Sequence, residues 1–307
     1  MTEKDTTVKT NVRQFYNRVG WQMETDGYYQ NARYEDLRPV SAEYIHRCHM
    51  RVNSHLDQNG KFLLDAGSGP IQYPEYMTYS ESYQYRVCAD LSIEGLKEAR
   101  KRTGAHGLCV VADVANLPFK EGAFDGIVSL HTIHHVPATE KKQAYLEIFR
   151  TLKAGHRAVV VNGWTNSPFM DRLSWMVKLS NAARYRLAVL RGKEVPKANL
   201  KKEIKLEGKP EEKPAEQTPT GTFIQKMSPE LLRKELGSMM DLQIFVWRSV
   251  SVRFLRAVIQ PWAFGKQLLR WLYHLEEKNP QKYGEEGQYP LIAIRKSETV
   301  QTEEKVA

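Results

Sequence analysis

The sequence predicts an α/β fold: a doubly wound, mostly parallel seven-stranded sheet with an antiparallel last strand, plus a helical cap and insertions at the ligand-binding edge. Three observations predict it. Short apolar runs alternate with amphipathic segments between residues 61 and 162, as strands and covering helices do in a parallel sheet. The first run ends in Asp65-Ala66-Gly67-Ser68-Gly69, a buried strand turning sharply where side-chain-free residues let backbone approach a ligand. The second ends in Asp90, 25 residues after Asp65, close to the spacing at which such a sheet places an acid against a ribose.

The elements follow in order. Residues 1–8 read as frayed, and Val8 to Val19 carries Val12, Phe15, Tyr16 and Val19 at helical spacing before stopping at Gly20. After a Tyr/Asp/Gly-rich loop to Pro39, Ser41 caps a helix with Tyr44, Ile45, Cys48, Val52 and Leu56 on one face. The alternating units are strand 61–65, helix near 73–81, strand 84–90, helix 92–103, strand 107–113, strand 124–130, helix 139–152 and strand 156–162. An apolar helix-like stretch (Phe169 to Leu190) and a Lys/Glu/Pro connector (Arg191 to Thr220) come next. Ser228-Pro229-Glu230 opens a helix with a capping serine and an N1 proline, and a strand runs from Leu242 to Val250. Ser251 to Gly287 is largely helical, before the last strand from Tyr289. The expected organisation is a cap (1–40), a core (41–163), a lid insertion (164–225), a core continuation (226–250), a second insertion (251–287), the last strand (288–296) and a disordered tail (297–307).

Composition narrows the class. With 307 residues, 41% of them hydrophobic, the chain buries a large core. Three cysteines without metal-type spacing suit a reducing compartment, so the expected location is cytoplasmic. The polar start and the lack of any run of about 18 apolar residues argue against a signal peptide and a membrane span. A net charge of +9 admits anionic partners, although it is partly concentrated in Arg184 to Lys213, where lysines mix with glutamates and prolines as in a flexible connector.

The glycine pattern selects the ligand. A dinucleotide fingerprint needs G-x-G-x-x-G, and position 72 is Gln. S-adenosylmethionine has no phosphates and requires only the close backbone approach and the acidic ribose partner. Downstream, Val110-Val111-Ala112-Asp113-Val114 to Phe119, Phe124-Asp125 to Val136, and Phe149 to Arg157 follow in order. Together these segments resemble a class I S-adenosylmethionine-dependent methyltransferase, nearest to the small-molecule enzymes of ubiquinone and menaquinone biosynthesis. The resemblance spans residues 60–163 in detail; where that family often has a third glycine, this chain has Ile71.

The resemblance implies roles for individual residues. Gly67 and Gly69 contact S-adenosylmethionine through the backbone, with Ala66 and Ser68 between and beside them. Asp90 accepts from the ribose hydroxyls beside Leu91, Asp113 meets the adenine amine with Val114 against the ring, and Asp65 orients the glycine loop. Leu130 and His131 form the floor near the transferred methyl; His131 is the candidate base, needed only if the acceptor has a proton to lose. His134 and His135 read as helix-start packing, with His135 also a candidate for the acceptor pocket, and no metal site is expected. Tyr16, Trp21, Tyr28, Tyr29 and Trp164 are further pocket candidates, because five of six tryptophans fall in or beside the additions to the minimal fold. The expected function is methyl transfer to a small apolar or aromatic acceptor at O or C. The Asn/Asp-Pro-Pro-aromatic turn of enzymes acting on exocyclic base nitrogens is replaced by Ser129-Leu130-His131-Thr132, so nucleic acid is disfavoured; the alternatives are an RNA or protein methyltransferase, or a noncatalytic membrane-associated cofactor-binding protein. Basic aromatic segments at 172–191 and 253–274 suggest peripheral contact with an anionic membrane.

Overall fold

The computed structural model describes residues 3–23, 25, 29–190 and 222–298; Tyr28, the connector 191–220 and the tail from 299 lie outside them. Seven strands form one sheet: β1 (Gly60–Ala66), β2 (Tyr83–Asp90), β3 (Gly107–Val111), β4 (Phe124–Leu130), β5 (Leu152–Val161), β6 (Asp241–Arg248) and β7 (Tyr289–Arg295). Their order is β3-β2-β1-β4-β5-β7-β6. β1 pairs in parallel with β2 (Asp65 opposite Cys88) and β4, while β7 runs antiparallel between β5 and β6. The order reverses between β1 and β4, which opens a crevice above their carboxyl ends.

Both faces of the sheet are buried, so its strands read as continuous apolar runs and not as alternation. Leu64, Val87, Ile127, Val160 and Ile292 point into one core; Leu63, Cys88, Val128, Val161 and Leu291 point into the other. Helix α3 (Ile93–Thr103) follows β2, its cap Ser92 accepting from the Gly95 N–H at 3.1 Å, and α4 (Lys141–Thr151) precedes β5. The segment expected as a helix near 73–81 is a 3₁₀ helix, Pro74–Ser80.

The N-terminal helix α1 spans Glu3–Phe15 and continues as a π turn through Gly20. Residues expected to fray are therefore helical, because α1 lays Val12 and Phe15 into the molecule and closes over the sheet edge. β5 starts at Leu152, four residues earlier than expected (156 − 152), with a register shift against β4 that absorbs Gly155 in the left-handed region.

The additions build a third core. Helix α2 (Ala42–Met50), α5 (Pro168–Leu190), α7 (Val252–Val258) and α8 (Gly265–Lys278) share a cluster that includes Tyr44, Cys48, Val177, Phe254, Leu255 and Leu269. Helices α6 (Pro229–Leu236) and α9 (Pro280–Glu286) flank β6. Buried ion pairs tie this layer to the sheet: Arg248 to Glu35, and Arg51 to Glu276, which also accepts from the Tyr44 hydroxyl at 2.6 Å.

Candidate active site

A cavity of about 1000 Å³, counted out to its open mouth, lies at the carboxyl ends of β1, β2, β3 and β4. Strand ends supply Asp65, Asp90, Asp113, Leu130 and His131 to its wall, and turns supply Gly67, Ser68, Leu91, Val114 and Thr132. The cap supplies Lys9, Val12, Arg13, Tyr16 and Trp21.

The turn after β1 needs its glycines for two physical reasons. Gly67 and Gly69 have φ of +80° and +50°, which side-chain-bearing residues rarely adopt. A Cβ at Gly67 would lie 2.2 Å from Thr132, and one at Gly69 would lie 2.6 Å from the Trp21 indole. Close approach is thus made by protein side chains as well as by the cavity; Gly69 sits beneath Trp21, while Gly67 and Ser68 face the open space. Ile71 stands in the same left-handed region at φ +56°, where the glycine of the resembled family would be unstrained.

Asp90 closes this turn. Its two oxygens accept from the Gly69 N–H at 2.8 Å and the Ser92 N–H at 2.7 Å. Burial pushes the carboxyl up to about 6, with the two N–H donors opposing the rise and the charge of Asp65 adding to it. A carboxylate holds about four acceptor sites, so lone pairs on Asp90 remain for a ligand.

Asp65 is held by Arg86, which donates to it at 2.5 and 3.1 Å and is itself wholly buried on β2. Arg86 was missed by sequence reasoning; its signal is a lone cation inside an apolar strand. Asp113 pairs with Lys9 of α1, which also pairs with Glu140, and accepts from the Ala115 N–H at 2.9 Å. Lys9, Val12, Arg13 and Tyr16 fall at i, i+3, i+4 and i+7, one helix face, and all four line the cavity. That spacing is present in the sequence, but apolar periodicity reports Val12 and Tyr16 and is silent on Lys9 and Arg13 of the same face.

The remaining candidates divide. Tyr16 stacks on Trp21 at 4.7 Å, and its hydroxyl meets His135 Nε2 at 2.8 Å. His135 Nδ1 lies 2.7 Å from the Phe223 carbonyl, which can only accept, so Nδ1 carries the proton and Nε2 accepts from Tyr16. Burial holds His135 down at about 4 and His131 at about 3, so both imidazoles are neutral at pH 7. Ala66 is enclosed in the core, and Tyr29 is buried edge-on to Trp21 without reaching the wall. Trp164 is not a pocket residue: its indole is in the core beside β5 and donates to the Gly284 carbonyl at 2.7 Å. Nor do the insertions supply an aromatic wall, since Trp175, Trp262 and Trp271 face outward, between 58% and 83% exposed.

The residues fit an adenosyl sulfonium: a carboxylate with spare lone pairs, an exposed glycine turn, and the Trp21 indole N–H, buried in the wall without a partner among the described residues. Residues 64–160 match the model of a methyltransferase domain. Sterol methyltransferase-like 1 of Botryococcus braunii is 26% identical over 182 residues, covering 56% of this chain and 44% of that protein. Probable tRNA methyltransferase 9B of Bos taurus is 28% identical over 130 residues, covering 41% and 27%. The chain thus spans less than half the length of either relative. Geranyl diphosphate C-methyltransferase from Streptomyces coelicolor A3(2) shares the fold, with a TM-score of 0.52 at 16% identity over 96% of this chain and 100% of that one. Residues 64–160 thus resemble a methyltransferase domain, and the sheet that carries them has the fold seen in geranyl diphosphate C-methyltransferase.

Proposed function

We propose that the chain transfers a methyl group from S-adenosylmethionine to a small acceptor with an apolar or aromatic frame. The observation that carries this reading is Asp90, a half-buried strand-end carboxylate with unspent lone pairs beside the open faces of Gly67 and Ser68. Asp90 would hold the ribose, Asp113 and Val114 the adenine end, and the Gly67-Ser68 turn the amino-acid end. When bound, the cofactor supplies a methyl group on a sulfonium carbon already activated for in-line displacement. The chain's contribution is alignment and exclusion of water: α1 and Trp21 cover the cavity, and Leu130 and His131 set its floor. His131, neutral at pH 7, can accept a hydrogen bond from an acceptor's proton.

The acceptor side is walled by Tyr16, Trp21, Tyr76, His131 and His135, which suits a flat or apolar molecule. The relative named sterol methyltransferase-like 1 agrees with this class. A second reading, RNA as acceptor, is favoured by the relatives named as tRNA methyltransferases and by the net charge of +9. Incubating the protein and methyl-labelled cofactor with an extract of its native cell separates the two. Label in a ribonuclease-resistant, solvent-extractable product supports the first; label rendered acid-soluble by ribonuclease supports the second. We also propose peripheral contact with anionic lipid through residues 252–275, which hold four Lys/Arg and no acid and expose Trp262 and Phe264.

A further inference from the structure

In and behind the cavity wall, beside His131, runs a belt of aromatic side chains, three of which carry a buried polar atom without a partner among the described residues. Tyr76, in the 3₁₀ helix after β1, is 6% exposed, and its hydroxyl has no hydrogen-bond partner among the described residues. It lines the same cavity as His131. Its ring lies 5.1 Å from that of His49; His49 stacks on Trp247 at 5.4 Å, and Trp247 meets His131 edge-on at 4.9 Å. The Trp247 indole N–H and His49 Nε2 are also buried and unpartnered among the described residues. A buried hydroxyl without a partner costs about 1–3 kcal/mol. Such groups are rare in native proteins, and each calls for a ligand or water that it serves.

His131 supplies the complementary half. It stands at φ +55° where β4 ends, a left-handed conformation held by its N–H donating to the Val161 carbonyl at 2.7 Å. Strain of this kind gathers at functional sites. Burial, with the charge of Arg248 nearby, keeps the ring neutral, so one of its nitrogens offers a lone pair. Tyr76 offers an O–H. The Arg248 guanidinium acts on His131, while at Tyr76 it is opposed by its buried partner Glu35, so the choice of acceptor rests on hydrogen bonding at these two groups.

We propose that the acceptor is an oxygen compound, a hydroxyl on an aromatic or other apolar frame, whose oxygen accepts from Tyr76 and whose O–H donates to His131. This rests on the methyltransferase reading and narrows its substrate class. A hydroxyl satisfies both groups at once because it donates and accepts. An ammonium has no lone pair for the Tyr76 O–H, and a hydrocarbon satisfies neither group.

The test is calorimetric titration of protein saturated with S-adenosylhomocysteine, using 4-propylphenol, propylbenzene and 4-propylbenzylamine as probes. The phenol binds at least about tenfold more tightly than either analogue, and Tyr76→Phe brings it within about threefold of propylbenzene. His131→Asn, which tolerates the left-handed backbone, produces the same loss. Without ligand, Tyr76→Phe melts no earlier than wild type, since only an unpartnered hydroxyl is removed. Three probes bound alike, preference for the amine, or a Tyr76→Phe protein that melts earlier yet keeps the phenol preference would overturn the oxygen assignment. Titration with S-adenosylhomocysteine alone separates the two readings: binding retained without phenol preference sinks this inference only, and no binding by folded protein sinks the methyltransferase reading itself.

Discussion

At the scale of single residues, Ile71 and Asp90 show how the turn after β1 balances strain against purpose. A left-handed conformation costs a β-branched residue about 1–2 kcal/mol, yet the Ile71 side chain is fully buried, and truncating such a side chain costs about 2–5 kcal/mol. Burial wins. Ile71→Gly therefore destabilises the protein by about 1–3 kcal/mol in urea unfolding, although glycine suits the backbone; a stabilised variant would show that strain dominates. For Asp90 the sign follows from the raised value of about 6. Below that pH the carboxyl is protonated and loses acceptor capacity, so affinity for S-adenosylhomocysteine falls roughly tenfold per pH unit below 6 and is flat above 7. A calorimetric series from pH 5 to 8 checks this, and a flat profile would contradict it. Asp90 was legible in the sequence because a carboxylate ending an apolar strand is a strong local signal. Tyr76 was not, because its importance lies in a missing hydrogen bond that only three-dimensional packing reveals.

At the scale of elements, α1 acts as the cover of the cavity. Of its apolar residues, Val12 and Phe15 are buried, as is Asp5, and its docking also relies on Lys9 with Asp113 and Glu140 and on the Tyr16–His135 bond just beyond it. A terminal helix docked along one face is able to open locally. Lys9→Met speeds amide exchange in residues 5–15 by about tenfold, and bound S-adenosylhomocysteine slows it in the wild type. Exchange unchanged by either would mean that α1 is fixed by other contacts. The core strands and α3 were legible because apolar runs and a capping serine are local features. The start of α1 and the direction faced by the insertions were not, since polar residues 3–8 become helical only through tertiary docking, and α5 is apolar around much of its circumference. Trp164 lies in the core and not in the pocket for a related reason: a large aromatic beside a strand end suits either place, and only packing decides between them.

For the whole molecule, the sheet places the cavity at one edge while α5, α7 and α8 build a separate helical layer with an outward aromatic and basic surface. Among the described residues no helix is long and apolar enough to cross a membrane. The lipid contact is tested by sedimentation with vesicles of phosphatidylcholine and phosphatidylserine. Salt-sensitive binding that falls at least about fivefold in a Trp262→Ser, Phe264→Ser double variant is expected; equal sedimentation with neutral vesicles and with the variant would remove the idea. Everything functional depends on the β2-end carboxylate gripping an adenosyl ligand, and titration of the folded chain with S-adenosylmethionine tests that most directly. The account predicts saturable one-to-one binding that Asp90→Ala weakens by roughly a hundredfold; a folded wild-type protein that takes up no ligand, or an Asp90→Ala protein that binds as tightly as wild type, would contradict it.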